Sequence, residues 1–284
     1  MLNQILQDIL SEYSIAEIIQ MCKIINKDYN IYDPDEVRWA KLAYVLNRTT
    51  DAEWSKLKSN TLSNTVVNDL IFNYYFCERV IKYHFIRYLK LKNDHIVAFE
   101  MSIGDSRIDI CKINGSSYAY EIKTEYDTFD RLESQMHDYL KTFEKVYVIV
   151  PNTRVNEVAL YIPASCGIIG YRVDKNMNVV FSYSRKAQKN ICDLAMCIRN
   201  LSSVDMSYML KLLKLDNYKT RAEKMNVLLR YASSKSFSRH YRQLLKHKYG
   251  PQWDFVIEHF NDILPIDIQS FFSSNINPNL LYTK

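Results

Sequence analysis

The sequence predicts an α/β (α+β) protein, a mixed β-sheet with helices packed on it and helical regions at both ends. Three observations predict this class. Apolar residues recur at helical intervals in the first ninety or so residues and again from Lys186 onward. Between about residues 96 and 150 the period shortens to β-branched, aromatic-rich runs. One helical stretch interrupts those runs, giving the order helix, three strands, helix, strand, which describes a small mixed sheet covered by helices.

The elements follow in order. Ile5, Ile9, Ile15, Ile18 and Ile19 mark the N-terminal helices, with a break at Asp33-Pro34. A second helical block, Asn64 to about Lys92, carries Val67, Leu70, Phe76, Val80, Ile81 and Phe85. Strands are expected at 96–102, 107–113, 117–123 and 146–150. The helix between the last two, from about Phe129 to Phe143, lines up Phe129, Leu132, Met136, Leu140 and Phe143 on one side. Three further apolar runs, at 158–162, 167–173 and 178–183, precede the C-terminal helices. The expected division is an N-terminal helical region (1–60), a sheet-bearing core (61–185) and a basic helical region (186–284).

The chain's 284 residues suffice for one large domain or two modest ones. Its 22 tyrosines against 12 phenylalanines suggest rings with one wet edge, at cleft walls or interfaces. No apolar run reaches membrane-spanning length, and the amphipathic, acidic N-terminus is unlike a secretory signal, so a soluble cytoplasmic protein with no membrane partner is expected. The six cysteines are scattered without a CxxC pair and read as free, mostly buried thiols. No HxxxH, HExxH or GxxxxGK[ST] pattern is present, which argues against a zinc hydrolase or ATP use by this chain alone.

The net charge of +5 is unevenly spread. Between Asp205 and Gly250 eleven basic residues face three acidic ones, an excess that suits a polyanion or, more blandly, a solvated helical surface.

The residues that carry chemistry lie in RIDICKINGSSYAYEIK, 107–123. Asn114-Gly115 marks a tight turn, so the flanking runs pair as a hairpin. A two-residue loop would set Asp109 opposite Tyr120; a three-residue loop, Asn114 to Ser116, pairs Ile113 with Ser117 and sets Asp109 opposite Glu121. The second register sorts Ile108, Ile110, Tyr118, Tyr120 and Ile122 onto one face and Arg107, Asp109, Cys111, Ala119, Glu121 and Lys123 onto the other. A one-residue slip exchanges faces, so this sorting selects the three-residue loop. Facing carboxylates repel unless neutralised. Arg107 and Lys123 supply part of that, and a hard divalent ion supplies it better. Mg²⁺ takes oxygen ligands and keeps waters, and it can polarise a phosphorus and activate a bound water. Lys123, on the same face, is placed to orient that water or to stabilise developing negative charge.

Asp109 followed by Glu121-Ile122-Lys123 resembles the D…(D/E)xK signature of the PD-(D/E)XK nuclease superfamily. That superfamily's restriction-endonuclease-like core has the order αβββαβ. Gln135 and Tyr139, four residues apart and so on one helical face, resemble the QxxxY motif of RecB-type members. The stretch Glu100 to Pro151, with Asp127, Arg131-Leu132, Gln135 and Tyr139, is similar to a poorly characterised bacterial family of this superfamily. The resemblance implies a Mg²⁺-dependent deoxyribonuclease, with Mn²⁺ able to substitute. It assigns catalytic roles to Asp109, Glu121, Lys123, Gln135 and Tyr139, and metal ligation to Asp109 and Glu121 with a further acid. Glu100 on the preceding strand and Glu78 on the preceding helix both qualify for that acid. Restriction or antiphage defence is the implied role.

In this light the basic segment is expected to contact DNA phosphates. Residues 208–232 read as two short helices loosely like a SAP-type motif, with Lys219, Arg221 and Lys224 as contacts and Arg239 and Arg242 further along. Tyr231, Phe237 and Tyr241 are expected mostly in the core. An unregulated DNase would harm its host, so control by a protein partner or trigger is expected, and self-association stays open. The alternatives are a nucleic-acid-binding or assembly module that cuts only when a partner docks, and an RNase.

Overall fold

A computed structural model of the chain describes residues 3–48, 51–90, 95–231 and 234–273. The chain divides into two compact units by contact.

The first unit runs to Tyr83 and takes in Asn261–Ser270. Its helices are α1 (Gln4–Leu10), α2 (Ile15–Asp28), α3 (Asp35–Val45), α4 (Ala52–Asn60), α5 (Ser63–Tyr74) and the start of α6 (Glu78–Lys90). Ser14 caps α2 through a reciprocal box with Glu17, and Pro34 ends the preceding segment so that α3 restarts at Asp35. Trp39 and Trp54 meet edge to face at 5.2 Å inside a core that also holds Leu6, Leu42 and Leu70. The later stretch joins this core through Ile266, whose carbonyl accepts from Arg79 at 3.1 Å.

The second unit begins at His84 and contains the sheet. Its strands are β1 (Ile96–Ile103), β2 (Ser106–Asn114), β3 (Ser116–Ile122), β4 (Lys145–Pro151), β5 (Gly167–Val173) and β6 (Val179–Arg185). They lie in the order β1-β2-β3-β4-β5-β6; β3, β4 and β5 run parallel and the other neighbours antiparallel. Helix α7 (Leu132–Thr142) makes the crossover from β3 to β4, and α8 (Val155–Val158) lies between β4 and β5. The helices after the sheet are α9 (Leu194–Arg199), α10 (Ser203–Leu212), α11 (Arg221–Tyr231), α12 (Ser234–Glu258) and α13 (Ser270–Ser273). The predicted class and the order helix, three strands, helix, strand are both observed.

The sheet is covered on both faces. Cys111, Ala119, Val146 and Val148 share a core with Leu132, Met136 and Tyr139 of α7 and with Met206, Leu210, Leu228 and Leu244 of the later helices. On the other face Phe85 of α6 packs on Tyr120 at 4.9 Å, and Tyr120 stacks between Tyr118 and Tyr147. Strands buried on two sides read as continuous apolar runs, which is why KVYVIVP shows no alternation.

Four expectations change. The helical block from Asn64 breaks at residues 75–77, where Tyr75 turns extended, and resumes at Glu78; the apolar spacing runs through the break and hides it. The unit boundary falls at Tyr83/His84 rather than at residue 60, within α6. The region from 186 is not separate, because its helices bury the apolar face of the sheet. Many tyrosines are core rather than cleft residues: Tyr120, Tyr139, Tyr147, Tyr171 and Tyr241 are all buried. Among the described residues no helix is long and apolar enough to cross a membrane. The cysteines are free, with all but Cys192 buried.

Candidate functional site

The hairpin register is the one that hydrophobic sorting selects. Ile113 pairs with Ser117, Cys111 with Ala119 and Ile110 with Tyr120. One step on, Asp109 stands opposite Glu121, and there the main-chain ladder gives way: the Ile122 N–H donates to Asp109 Oδ2 at 2.6 Å instead of to a β2 carbonyl. A carboxylate thus replaces a peptide group at the end of the strand pair.

The β1–β2 turn extends the row. Ile103 pairs with Ser106 across Gly104-Asp105, and Phe99 with Ile110 and Met101 with Ile108, so Glu100 stands opposite Asp109. Glu100, Asp109 and Glu121 therefore form one row across three adjacent strands. Oxygens of Glu100 and Asp109 lie within 4.8 Å of each other. Glu100 sits at φ +53° in the middle of a strand. A non-glycine residue in the left-handed region costs about 1–3 kcal/mol and persists only where its surroundings enforce it. Asp109 and Glu121 are 7% and 3% exposed, which for carboxylates calls for charged or hydrogen-bonded partners.

Glu121 has such partners in Lys123 and Tyr139. Lys123 Nζ donates to Oε1 at 2.9 Å, and Tyr139 Oη lies 2.9 Å from Oε2. Tyr139 Oη also lies 2.8 Å from the Arg107 carbonyl, so its one proton is shared between two acceptors. Burial alone would lower the Lys123 pKa, but the Glu121, Asp109 and Asp127 charges outweigh it and hold the ammonium protonated above its ordinary range. Burial, reinforced by the Glu121 charge, raises the Tyr139 hydroxyl, which stays a neutral donor. Gln135 lies one turn before Tyr139, and its Oε1 is buried without a donor among the described residues.

The acids around Asp109 fall into two sets. The carboxylates already grouped are Asp109 and Glu100, while Glu121 is turned to Lys123 and Tyr139. Glu78, the other acid anticipated from the sequence, opens α6 within the first unit and pairs with Lys82. The all-oxygen donor set, largely buried and with three acids against Lys123 and Arg107, fits a hard divalent cation such as Mg²⁺. The register of Glu100 was open to reading from Gly104-Asp105, a two-residue turn with its glycine at φ +57°.

A further side chain that the sequence did not single out organises the exit from this site. Arg154, just after β4, donates to the carbonyls of Thr124 at 2.9 Å and Asp127 at 2.7 Å, and its guanidinium lies 3.9 Å from the centre of the Phe129 ring. Asp127 accepts from the Thr124 N–H and hydroxyl at 2.7 and 2.6 Å. The loop after Lys123 is held at both ends. Arg154 also pairs with Glu157 three residues on, but no local signal announces its hold on the loop, because Thr124 and Asp127 lie about thirty residues away.

The expected nucleic-acid contacts divide differently. Lys224 is 7% exposed, and its Nζ donates to the Ser203 hydroxyl and carbonyl at 3.0 and 3.3 Å. Arg242 donates to the buried Glu144 at 2.8 Å, and Arg221 to the carbonyls of Arg199 and Leu201 at the end of α9. These three are engaged with groups of the protein itself. Lys219 and Arg239 are exposed, as expected of phosphate contacts. Phe237 and Tyr241 are core as anticipated, whereas Tyr231 is exposed.

Comparison with known proteins places the chain. The family model described as bacteriophage P4 protein cII matches residues 72–271, and the chain belongs to that family. It is similar to protein cII of Enterobacteria phage P4, 27% identical over 139 residues that cover 47% of this chain and 50% of the relative. The chain thus spans about half the length of the curated relative it matches. Among solved structures it is similar to a protein of unknown function from Silicibacter pomeroyi, 14% identical with a TM-score of 0.29, covering 61% of this chain and 89% of that one.

Proposed function

We propose that this member of the phage P4 cII family is a metal-dependent nuclease that hydrolyses phosphodiester bonds of DNA. One observation carries the reading. Glu100, Asp109 and Glu121 stand in a row across three strands, beside a protonated Lys123 and the Tyr139 hydroxyl. Repelling acids that converge at a strained residue are a poor way to stabilise a sheet and a good way to hold a cation.

In this reading Asp109 and Glu100 hold Mg²⁺ or Mn²⁺, and Glu121 is the third acid of the row; Glu78 is the remaining candidate from α6. The ion supplies Lewis acidity at the phosphorus and a more acidic bound water. Lys123, kept cationic by its neighbours, stabilises negative charge on the phosphate rather than removing a proton. Tyr139 fixes the Glu121 carboxylate, and the Gln135 Oε1 acceptor is available to a water or to the nucleic acid. Lys219 and Arg239 serve as outlying phosphate contacts. A role in restriction or antiphage defence, with control by a partner, belongs to the same proposal and rests on the superfamily resemblance.

Incubating the purified chain with linear, circular and single-stranded DNA, in Mg²⁺ or Mn²⁺ and in EDTA, tests this directly. Cleavage is expected only with metal, and Lys123→Ala should slow it by about 10²–10³-fold, the usual cost of losing one transition-state charge contact. Cutting that survives EDTA or Lys123→Ala would sink the mechanism. Binding without cutting by either protein would favour a nucleic-acid-binding module, and preference for RNA in competition would change the substrate.

A further inference from the structure

We propose that Arg107 is a phosphate-binding arm that Glu100 holds back until a divalent cation takes its place. The proposal rests on the metal-centre reading above and adds a substrate contact to it.

The geometry is lopsided. Arg107 Nε lies 2.7 Å from Glu100 Oε2, yet the arginine side chain is 68% exposed and the glutamate side chain only 10%. Moving the guanidinium away costs the arginine little, because water already covers most of it. Glu100 is different: losing its cation would leave a buried carboxylate facing Asp109 with less compensation. A divalent ion on Glu100 and Asp109 removes that penalty and draws on the same carboxylate that Arg107 now uses. Two cations at Glu100 repel each other, so metal entry weakens the hold on the arginine.

The freed side chain is well placed. Arg107 precedes Asp109 by two residues on β2 and so projects from the same face, roughly 7 Å along the strand. Its main chain stays fixed while the side chain moves, since its carbonyl accepts from Tyr139 Oη at 2.8 Å. A guanidinium on a fixed backbone beside a metal-bound phosphate offers the planar fork that matches two phosphate oxygens. The ligand is therefore a phosphodiester of the nucleic-acid backbone, next to the one held at the ion. In the metal-free protein the same arginine lowers the repulsion within the acid row.

Calcium titration followed by calorimetry, together with the anisotropy of a short fluorescein-labelled DNA in Ca²⁺ and in EDTA, tests the arm without relying on cleavage. The proteins compared are the wild type, Arg107→Ala and Arg107→Lys. Arg107→Ala should bind Ca²⁺ about two- to five-fold more tightly, the size of an exposed ion-pair competitor. Its affinity for DNA should fall about five- to ten-fold in Ca²⁺ and change less than about two-fold in EDTA, a coupling a static contact would not give. Arg107→Lys should restore the competition for metal but only part of the DNA affinity, because lysine lacks the fork. Equal losses of DNA affinity with and without Ca²⁺, or metal affinity unchanged or weakened in Arg107→Ala, would overturn the arm alone. A wild type that binds no Ca²⁺ would overturn the metal-centre reading and the arm with it.

Discussion

Two charged regions attract attention in this sequence, the acids of the β1–β3 strands and the cations of the C-terminal helices, and the fold treats them in opposite ways. The acids are brought together. Glu100, Asp109 and Glu121 share one row, and Glu100 is held at φ +53° to stand in it. Several of the cations are brought to protein partners. Arg242 reaches the Glu144 carboxylate and Lys248 that of Asp205 at 2.9 Å, while Lys224 is hydrogen-bonded by the uncharged Ser203. Charges that find partners contribute to folding, whereas like charges gathered against their own repulsion need another reason to be there. Charge density in the sequence is a weak guide to function; what the fold places beside each charge is a better one.

The contrast predicts stability changes of opposite sign. The largest is at Glu144, which accepts from Arg242, Lys189 and the Ser117 N–H while only 5% exposed. Arg242→Ala leaves that carboxylate short of a cation, and with Lys189 still present the expected loss is about 2–3 kcal/mol in a urea titration, below the full cost of breaking a buried pair. Ca²⁺ affinity should not change. At Glu100 the sign reverses. Glu100→Gly removes an acid from the row and accepts positive φ without strain, so the metal-free protein should gain about 1 kcal/mol in the same titration while metal binding collapses. A Glu100→Gly protein less stable than the wild type would break the comparison, because Glu100 would then be a structural residue.

A smaller effect concerns pH. Burial alone would raise the Asp205 pKa, but Lys248 and the Ser202 hydroxyl and N–H outweigh it and hold the carboxyl below its ordinary value. Its contribution to stability is therefore complete above the unfolded carboxylate pKa of about 3.9 and is lost as the pH falls through the lower, folded value. The difference in urea midpoint between wild type and Asp205→Asn should be constant at neutral pH and shrink below about pH 4. A difference that persisted at lower pH would mean that the hydrogen bonds between Asp205 and Ser202, which cap α10, matter more than the charge.

What the sequence made legible follows from how far each signal reaches along the chain. The strand runs, the crossover helix and the β2–β3 register rest on neighbours within about twenty residues, and all of them hold. Ile113 opposite Ser117 follows from sorting apolar residues, and Asp109 opposite Glu121 follows from that. The β1–β2 register was equally local, written in Gly104-Asp105, yet the left-handed turn of Glu100 was not, since alternation continues past it. Other features depend on distant partners. Glu144 and Arg242 are 98 residues apart, and Lys224 and Ser203 21, so nothing near Lys224 or Arg242 tells a contact within the protein from a phosphate contact. The helical break at 75–77 stayed hidden because the apolar spacing is compatible with one continuous helix.

The helices that cover the sheet bear on how this protein can be taken apart. Gly104, in the turn that sets Glu100 opposite Asp109, donates its N–H to Asn200 Oδ1 just beyond α9, and Met206, Leu210 and Leu244 lie in the same core as Cys111 and Val148. A fragment ending near residue 185 would expose that apolar face and release the turn, so the acid row cannot be cut out there as a folded piece. The family match, running from 72 to 271, spans sheet and covering helices together. Sheet and cover are inherited as one module, and grafting the acid row onto another scaffold would have to carry both.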